Sequence, residues 1–149
     1  MFCSTSAAKN YSTVPIFLQR DGIVQGVKSS LTSYEKGVFA ELCAEKELKT
    51  REYEILDKRV KTKYGEIDIL AKKEDCLVAI EVKQRRTLDL ARSCISTKQQ
   101  IRILNALLFV VSTRDELFEN YRVDVICLDS IGRFEHIENA FPLDDLIVC

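Results

Sequence analysis

Two stretches of this chain carry apolar residues at helical spacing, and several others alternate apolar with polar positions. The first helix is predicted to begin near Ser33, because Thr32 and Glu35 form a capping box, and to run to about Lys49. Val38, Phe39, Leu42, Cys43 and Leu48 supply its apolar surface, with Glu41 bordering the small-residue side at Gly37 and Ala44. A second helix is announced by Ser96 and Gln99, again in capping-box spacing, and continues through Ile101, Leu104, Leu108 and Val111 to about Ser112. Period-two segments follow Tyr53 and occupy Gly65 to Ala71, Cys76 to Lys83, Arg122 to Leu128 and Phe134 to Ile137. The tetrapeptide KKED (Lys72 to Asp75) reads as the loop of a hairpin. Helix, strands, helix, strands is the order of an α/β or α+β sheet packed by helices.

Length and composition narrow the class. A chain of 149 residues with 46% hydrophobic and 30% charged positions is the size and make-up of one soluble domain. No apolar run approaches the roughly 20 residues that span a bilayer, so no membrane partner is expected. Residues 1–30 are Ser/Thr-rich without a sustained period and read as a loosely structured extension, with Val14 to Leu18 as a short edge strand; residues 31–149 form the domain. The six cysteines are widely spaced, lack a C-x-x-C pair, and read as reduced thiols of a cytoplasmic protein rather than a zinc site. The net charge of −1 hides a partition: residues 46–102 carry 15 Lys/Arg against 10 Asp/Glu, and residues 103–149 carry 3 against 9. By itself a basic middle is most simply a solvated face.

The hairpin changes that picture. Pairing Ala71 with Cys76 puts Asp68 diagonal to Glu81, and pairing Lys72 with Leu77 puts them directly opposite; either register brings two carboxylates onto one face. Such a pair repels unless a cation joins it, and Mg²⁺ suits it, because this hard ion takes one or two carboxylates and keeps water and phosphate oxygens. Lys83 projects from the same face as Glu81, and Glu66 or Glu41 offers a further ligand. Glu-x-Lys alone commonly does no more than solvate a strand. Arg85 and Arg86 after the motif, with Lys61 and Lys63 before Gly65, would grip a nucleic-acid backbone beside such a site. Asp124 reads as the partner of a nearby arginine, and His136, the single histidine, as structural.

An acid on one strand followed by D/E-x-K on the next resembles the PD-(D/E)xK nuclease superfamily. In order, G37-x-x-A40-E41, G65-E-I-D-I-L-A71, V78-A-I-E-V-K83, the helix opening at Lys98, R122-V-D-V125 and H136-I-E-N-A-F141 resemble the YraN family. That resemblance implies a restriction-endonuclease-like core, a mixed central sheet flanked by helices, similar to archaeal Holliday junction resolvases. It implies Asp68 and Glu81 as metal ligands and catalytic residues, Lys83 as the catalytic lysine, Glu41 as the first-helix acid on the metal, and Lys98 near the site. It also implies a homodimer. Lys58 and Val60 stand where the family often shows an Asn and an aromatic, and Val123 where Phe is usual. The expected function is a Mg²⁺-dependent endonuclease, with Mn²⁺ as substitute, hydrolysing DNA phosphodiester bonds, including branched DNA. The alternatives are a non-catalytic nucleic-acid-binding module retaining the nuclease fold, and an interaction protein whose hairpin is only solvated sheet.

Overall fold

Thr32 caps the first helix as its spacing predicts: its hydroxyl accepts from Glu35 N–H, and the Glu35 carboxylate accepts from Thr32 N–H. In the computed structural model, which describes residues 11–13 and 32–142, this helix is α1 (Ser33–Thr50). The other elements are β1 (Tyr11–Thr13), β2 (Glu54–Thr62), β3 (Gly65–Lys73), β4 (Cys76–Gln84), α2 (Leu88–Ser93), α3 (Thr97–Thr113), β5 (Asn120–Leu128) and β6 (Arg133–Ile137). One six-stranded sheet runs β1-β6-β5-β4-β3-β2. Only β4 and β5 pair in parallel, and the chain between them forms α2 and α3, the crossover that a parallel pair requires.

Both faces of the sheet are covered. On one, α1 lays Ala40, Ala44 and Leu48 against Ile69, Ala71, Val78, Ile80, Ile126 and Leu128. Small residues bring the helix axis close to the sheet, so Ala40 and Ala44 form the buried stripe while Leu42, expected inside, is 55% exposed. On the other face, α3 packs Ile103, Leu104, Ala106 and Leu107 over Leu70, Leu77, Ala79 and Val123. Helix α2 covers Val125 and Cys127. Strand β4 is therefore buried on both sides from Leu77 to Ile80, which explains its almost unbroken apolar run.

Several elements differ from the expected boundaries. The basic stretch Lys58 to Lys61 belongs to β2 itself, an edge strand with a register shift between Ile55 and Asp57 and a positive φ of 52° at Arg59. Charges and a bulge on an edge discourage pairing with other chains. Helix α2 has no long apolar period and was not legible. The segment Val14 to Leu18 lies outside the described residues, and the backbone of β1 pairs with β6. Among the described residues, no helix is long and apolar enough to cross a membrane. Cys76, Cys94 and Cys127 are free thiols.

One buried polar network ties the β5–β6 end of the sheet to the α1–β2 loop. Asp124 is fully buried; its carboxylate accepts from Arg122 Nε at 2.9 Å and Asn139 N–H at 2.9 Å, and meets His136 Nε2 at 2.9 Å. Arg122 also donates to Tyr53 Oη at 2.6 Å. Both residues thus have the structural roles their sequence contexts suggested. Asp124→Ala is expected to destabilise the fold by about 3–5 kcal/mol, because it strands the Arg122 charge and a backbone donor. Urea unfolding would measure this; a loss under about 1 kcal/mol would show that the network contributes little.

Candidate active site

The site is built by the β3–β4 hairpin. Its turn is only Glu74 and Asp75, with Glu74 at φ 53°, so Lys72 and Lys73 lie within the strand instead of forming a four-residue loop. Lys73 pairs with Cys76 and Lys72 with Leu77, which selects the second of the two registers open from sequence and sets Asp68 level with Glu81. The paired ladder ends at Ile69 and Ile80. Beyond it the Val82 N–H is bound by Asp68 Oδ2 at 2.8 Å, so a side chain replaces the strand as acceptor. The hairpin opens where the carboxylates are.

Glu81 is 6% exposed and accepts from two side chains through the same oxygen, Oε1: the Lys83 ammonium and Gln99 Nε2, the latter at 2.8 Å. Gln99 is the functional candidate that sequence reasoning missed. Its spacing from Ser96 predicts a capping box, and half of that box exists, since Ser96 Oγ accepts from Gln99 N–H at 3.3 Å. The amide side chain is instead directed to Glu81. Gln99 thus couples a helix cap to a buried acid on a strand beneath the helix.

Burial, followed by the negative charge of Glu81, pushes the Asp68 carboxyl up to about 7; the hydrogen bond from Val82 opposes the rise, Glu41 adds to it, and Lys83 opposes it. Two acids held together out of water form a place that favours positive charge. Asp68 Oδ1 and Glu81 Oε2 accept no hydrogen bond among the described residues, and neither is sealed from solvent. This donor set, one unengaged hard oxygen from each of two carboxylates, fits a Mg²⁺ ion that keeps much of its water. It is not a complete cage: among the described residues, no three Asp, Glu, His or Cys side chains gather closely enough to enclose an ion. Glu41 is near enough to act on Asp68, but its carboxylate is held by Arg59 through Nη2–Oε1 at 2.9 Å and Nε–Oε2 at 3.0 Å.

The expected basic residues are all exposed, on several elements. Arg85 and Arg86 are exposed just past β4, Lys98 is exposed in the first turn of α3, Lys61 is exposed on β2 opposite Glu66, and Lys63 is exposed in the β2–β3 turn. Arg102, one turn after Lys98 and not singled out from sequence, reaches the start of β3 at Gly65.

A mixed sheet flanked by helices, with paired acids where one hairpin opens, defines an α/β protein with a restriction-endonuclease-like core. Comparison with known proteins then specifies the family. The model of the family described as "Uncharacterised protein family UPF0102" matches residues 40–128. A UPF0102 protein of Granulibacter bethesdensis is 34% identical over 146 residues, 97% of this chain and 87% of the relative. UPF0102 proteins of Azorhizobium caulinodans (35% over 113 residues, 75% and 86%) and Rhodopseudomonas palustris strain BisA53 (40% over 112 residues, 74% and 86%) are similar to it as well. The chain belongs to the UPF0102 family, the YraN family to which its motifs pointed. The matched segment contains Glu41, Asp68, Glu81, Lys83 and Gln99.

The raised Asp68 pKa has a measurable consequence. Its folded value, about 7, lies above its ordinary 3.8, so the folded protein binds more protons between those values and this group costs stability as pH rises through that window. Without divalent ions, Asp68→Asn is expected to stabilise the protein by on the order of 2 kcal/mol at pH 8 and by much less at pH 5. Urea midpoints in chelator at both pH values test it; equal gains would refute the charge origin.

Proposed function

We propose that this protein is a Mg²⁺-dependent endonuclease that hydrolyses DNA phosphodiester bonds, including those of branched DNA. The observation that carries this reading is the convergence of Asp68 and Glu81 at the open end of the hairpin, with Lys83 on Glu81. Asp68 Oδ1 and Glu81 Oε2 would hold the ion, which would supply polarisation of the phosphodiester and a bound water of lowered pKa. Lys83 brings a positive charge beside the acids, where negative charge develops on the phosphoryl oxygens during cleavage. Gln99 holds Glu81 Oε1, which leaves the other oxygen turned to the ligand position. Arg85, Arg86, Lys98, Lys61 and Lys63 are exposed cations that would take phosphates, contacts that position a strand without reading its sequence. The second reading, a nucleic-acid-binding module that retains the fold without catalysis, is favoured by one observation, the pairing of Glu41 with Arg59 in place of a three-acid cluster.

Purified protein is expected to cut duplex, flapped or four-way DNA with Mg²⁺ or Mn²⁺, and chelation is expected to stop it. Glu81→Ala and Lys83→Ala should each lower kcat by about 100-fold or more. Cleavage that survives both substitutions would place the activity elsewhere, and binding without any cleavage would establish the second reading. Gln99→Ala is expected to raise the Mg²⁺ concentration needed for half-maximal rate by about 10-fold while urea stability changes little. An unchanged metal requirement would reduce Gln99 to a packing residue.

A further inference from the structure

The β2–β3 turn and the exposed side of α3 meet at a corner whose side chains the acid pair does not use. Tyr64, at the tip of the turn, is 43% exposed, yet its ring is fixed. Thr62 Oγ1 accepts from Tyr64 N–H at 3.1 Å and Gly65 N–H at 3.2 Å and donates to Gly65 O at 2.8 Å, which locks the turn backbone. The ring stands edge-on to Phe109 of α3, with centroids 6.1 Å apart. The Lys63 ammonium sits 5.1 Å from the Tyr64 centroid and 5.4 Å from that of Phe109. Arg102 lies against the next residue: a Cβ on Gly65 would fall 3.3 Å from Arg102 Nη2, and Gly65 has φ 150°, so glycine is what admits the guanidinium. Among the described residues no carboxylate pairs with Arg102 or Lys63, and the nearest acid along the strand, Glu66, is half-buried opposite Lys61.

We infer that this corner is a docking platform for an unpaired DNA strand, with Tyr64 stacking on a base and Lys63 and Arg102 receiving phosphates. A preoriented exposed ring flanked by unneutralised cations is the arrangement that binds single strands without sequence preference. Duplex bases have their faces already stacked, so the ring selects strands with free bases. Gly65 precedes Asp68 by three strand residues, about 10 Å, a span of a few nucleotides at most. The platform would therefore feed the junction between paired and unpaired DNA to the acids. It extends the nuclease reading by naming the substrate form, and rests on that reading for the choice of DNA as the polymer.

Binding is measured on the whole chain in chelator, by fluorescence anisotropy of a labelled oligo-dT and of a blunt duplex of equal length. Tyr64→Ala is expected to weaken oligo-dT binding about 10-fold, with duplex binding changed less than about twofold, and Tyr64→Phe to bind like the native protein. Arg102→Gln should lower the salt slope for oligo-dT by about 0.7, one phosphate contact, and supplies a second measure where Tyr64→Ala disturbs folding by circular dichroism. Unchanged oligo-dT binding by Tyr64→Ala and an unchanged salt slope for Arg102→Gln would overturn the platform, as would equal losses on single strand and duplex. Selective binding by a protein that never cuts with Mg²⁺ would refute the nuclease reading and leave the platform standing. Cutting with native single-strand binding in Tyr64→Ala would do the reverse.

Discussion

The two-residue turn at Glu74 and Asp75 sets the pairing of Lys72 with Leu77, and that register, continued past its last pair Ile69–Ile80, brings Asp68 beside Glu81. A slip of one residue would turn either acid to the opposite side, into the apolar layer under α1. The same period-two constraint puts Leu77 and Ala79 under α3, so the register that packs the core is the register that gathers the acids. Folding energy and site geometry are thereby coupled. The buried strand β4 cannot relax the repulsion between Asp68 and Glu81 by sliding, because every step would expose Val78 and Ile80 or bury Lys83.

Two buried acid centres in this fold illustrate how burial and hydrogen bonding separate a structural charge from a chemical one. At Asp124 burial works against the charged form, but His136, Arg122 and the Asn139 N–H outweigh it and hold the carboxyl below its ordinary range. At Asp68 burial and Glu81 act in the same direction, with the Val82 N–H and the Lys83 charge too weak to reverse them. The carboxylate of the first centre is satisfied from within the protein, and its network fastens β5 and β6 to the α1–β2 loop. The second has more negative charge than the chain compensates. Perturbed groups of the second kind concentrate where function is carried out, because their charge is completed by something outside the fold.

How far the sequence revealed this depended on the range of the interactions. Local signals were legible: the Thr32–Glu35 box marks the start of α1, and alternation in Gly65 to Ala71 and Cys76 to Lys83 marks both strands. Their alternation also limited the acid pair to two registers, both of which put it on one face. The choice between them was not legible, because it rests on the left-handed conformation of Glu74, which no glycine or asparagine announces. Gln99 was hidden for a different reason. Its position three residues after Ser96 satisfies a local rule, while the partner it bonds lies 18 residues away and is known only once α3 packs on β4. The same holds for Arg102 over Gly65, a contact made by tertiary packing alone.

Glu41 presents the least direct geometry of the acids, and its energetics decide whether that matters. Its ion pair with Arg59 has side chains 18% and 36% exposed respectively, so water screens it and the pair contributes little to stability. Separating Glu41 from Arg59 therefore costs little. Arg59 is itself held at φ 52° at the level of Asp68 on the adjoining strand, where the β2–β3 pairing skips a rung between Lys58–Ile69 and Val60–Ile67. A guanidinium at that point offsets the acids from the side of α1, as Lys83 does from within β4. Arg59 and Lys83 are thus the positive charges that the protein itself sets against these acids, and the Arg59 pair, the more exposed of the two, is the one water screens more.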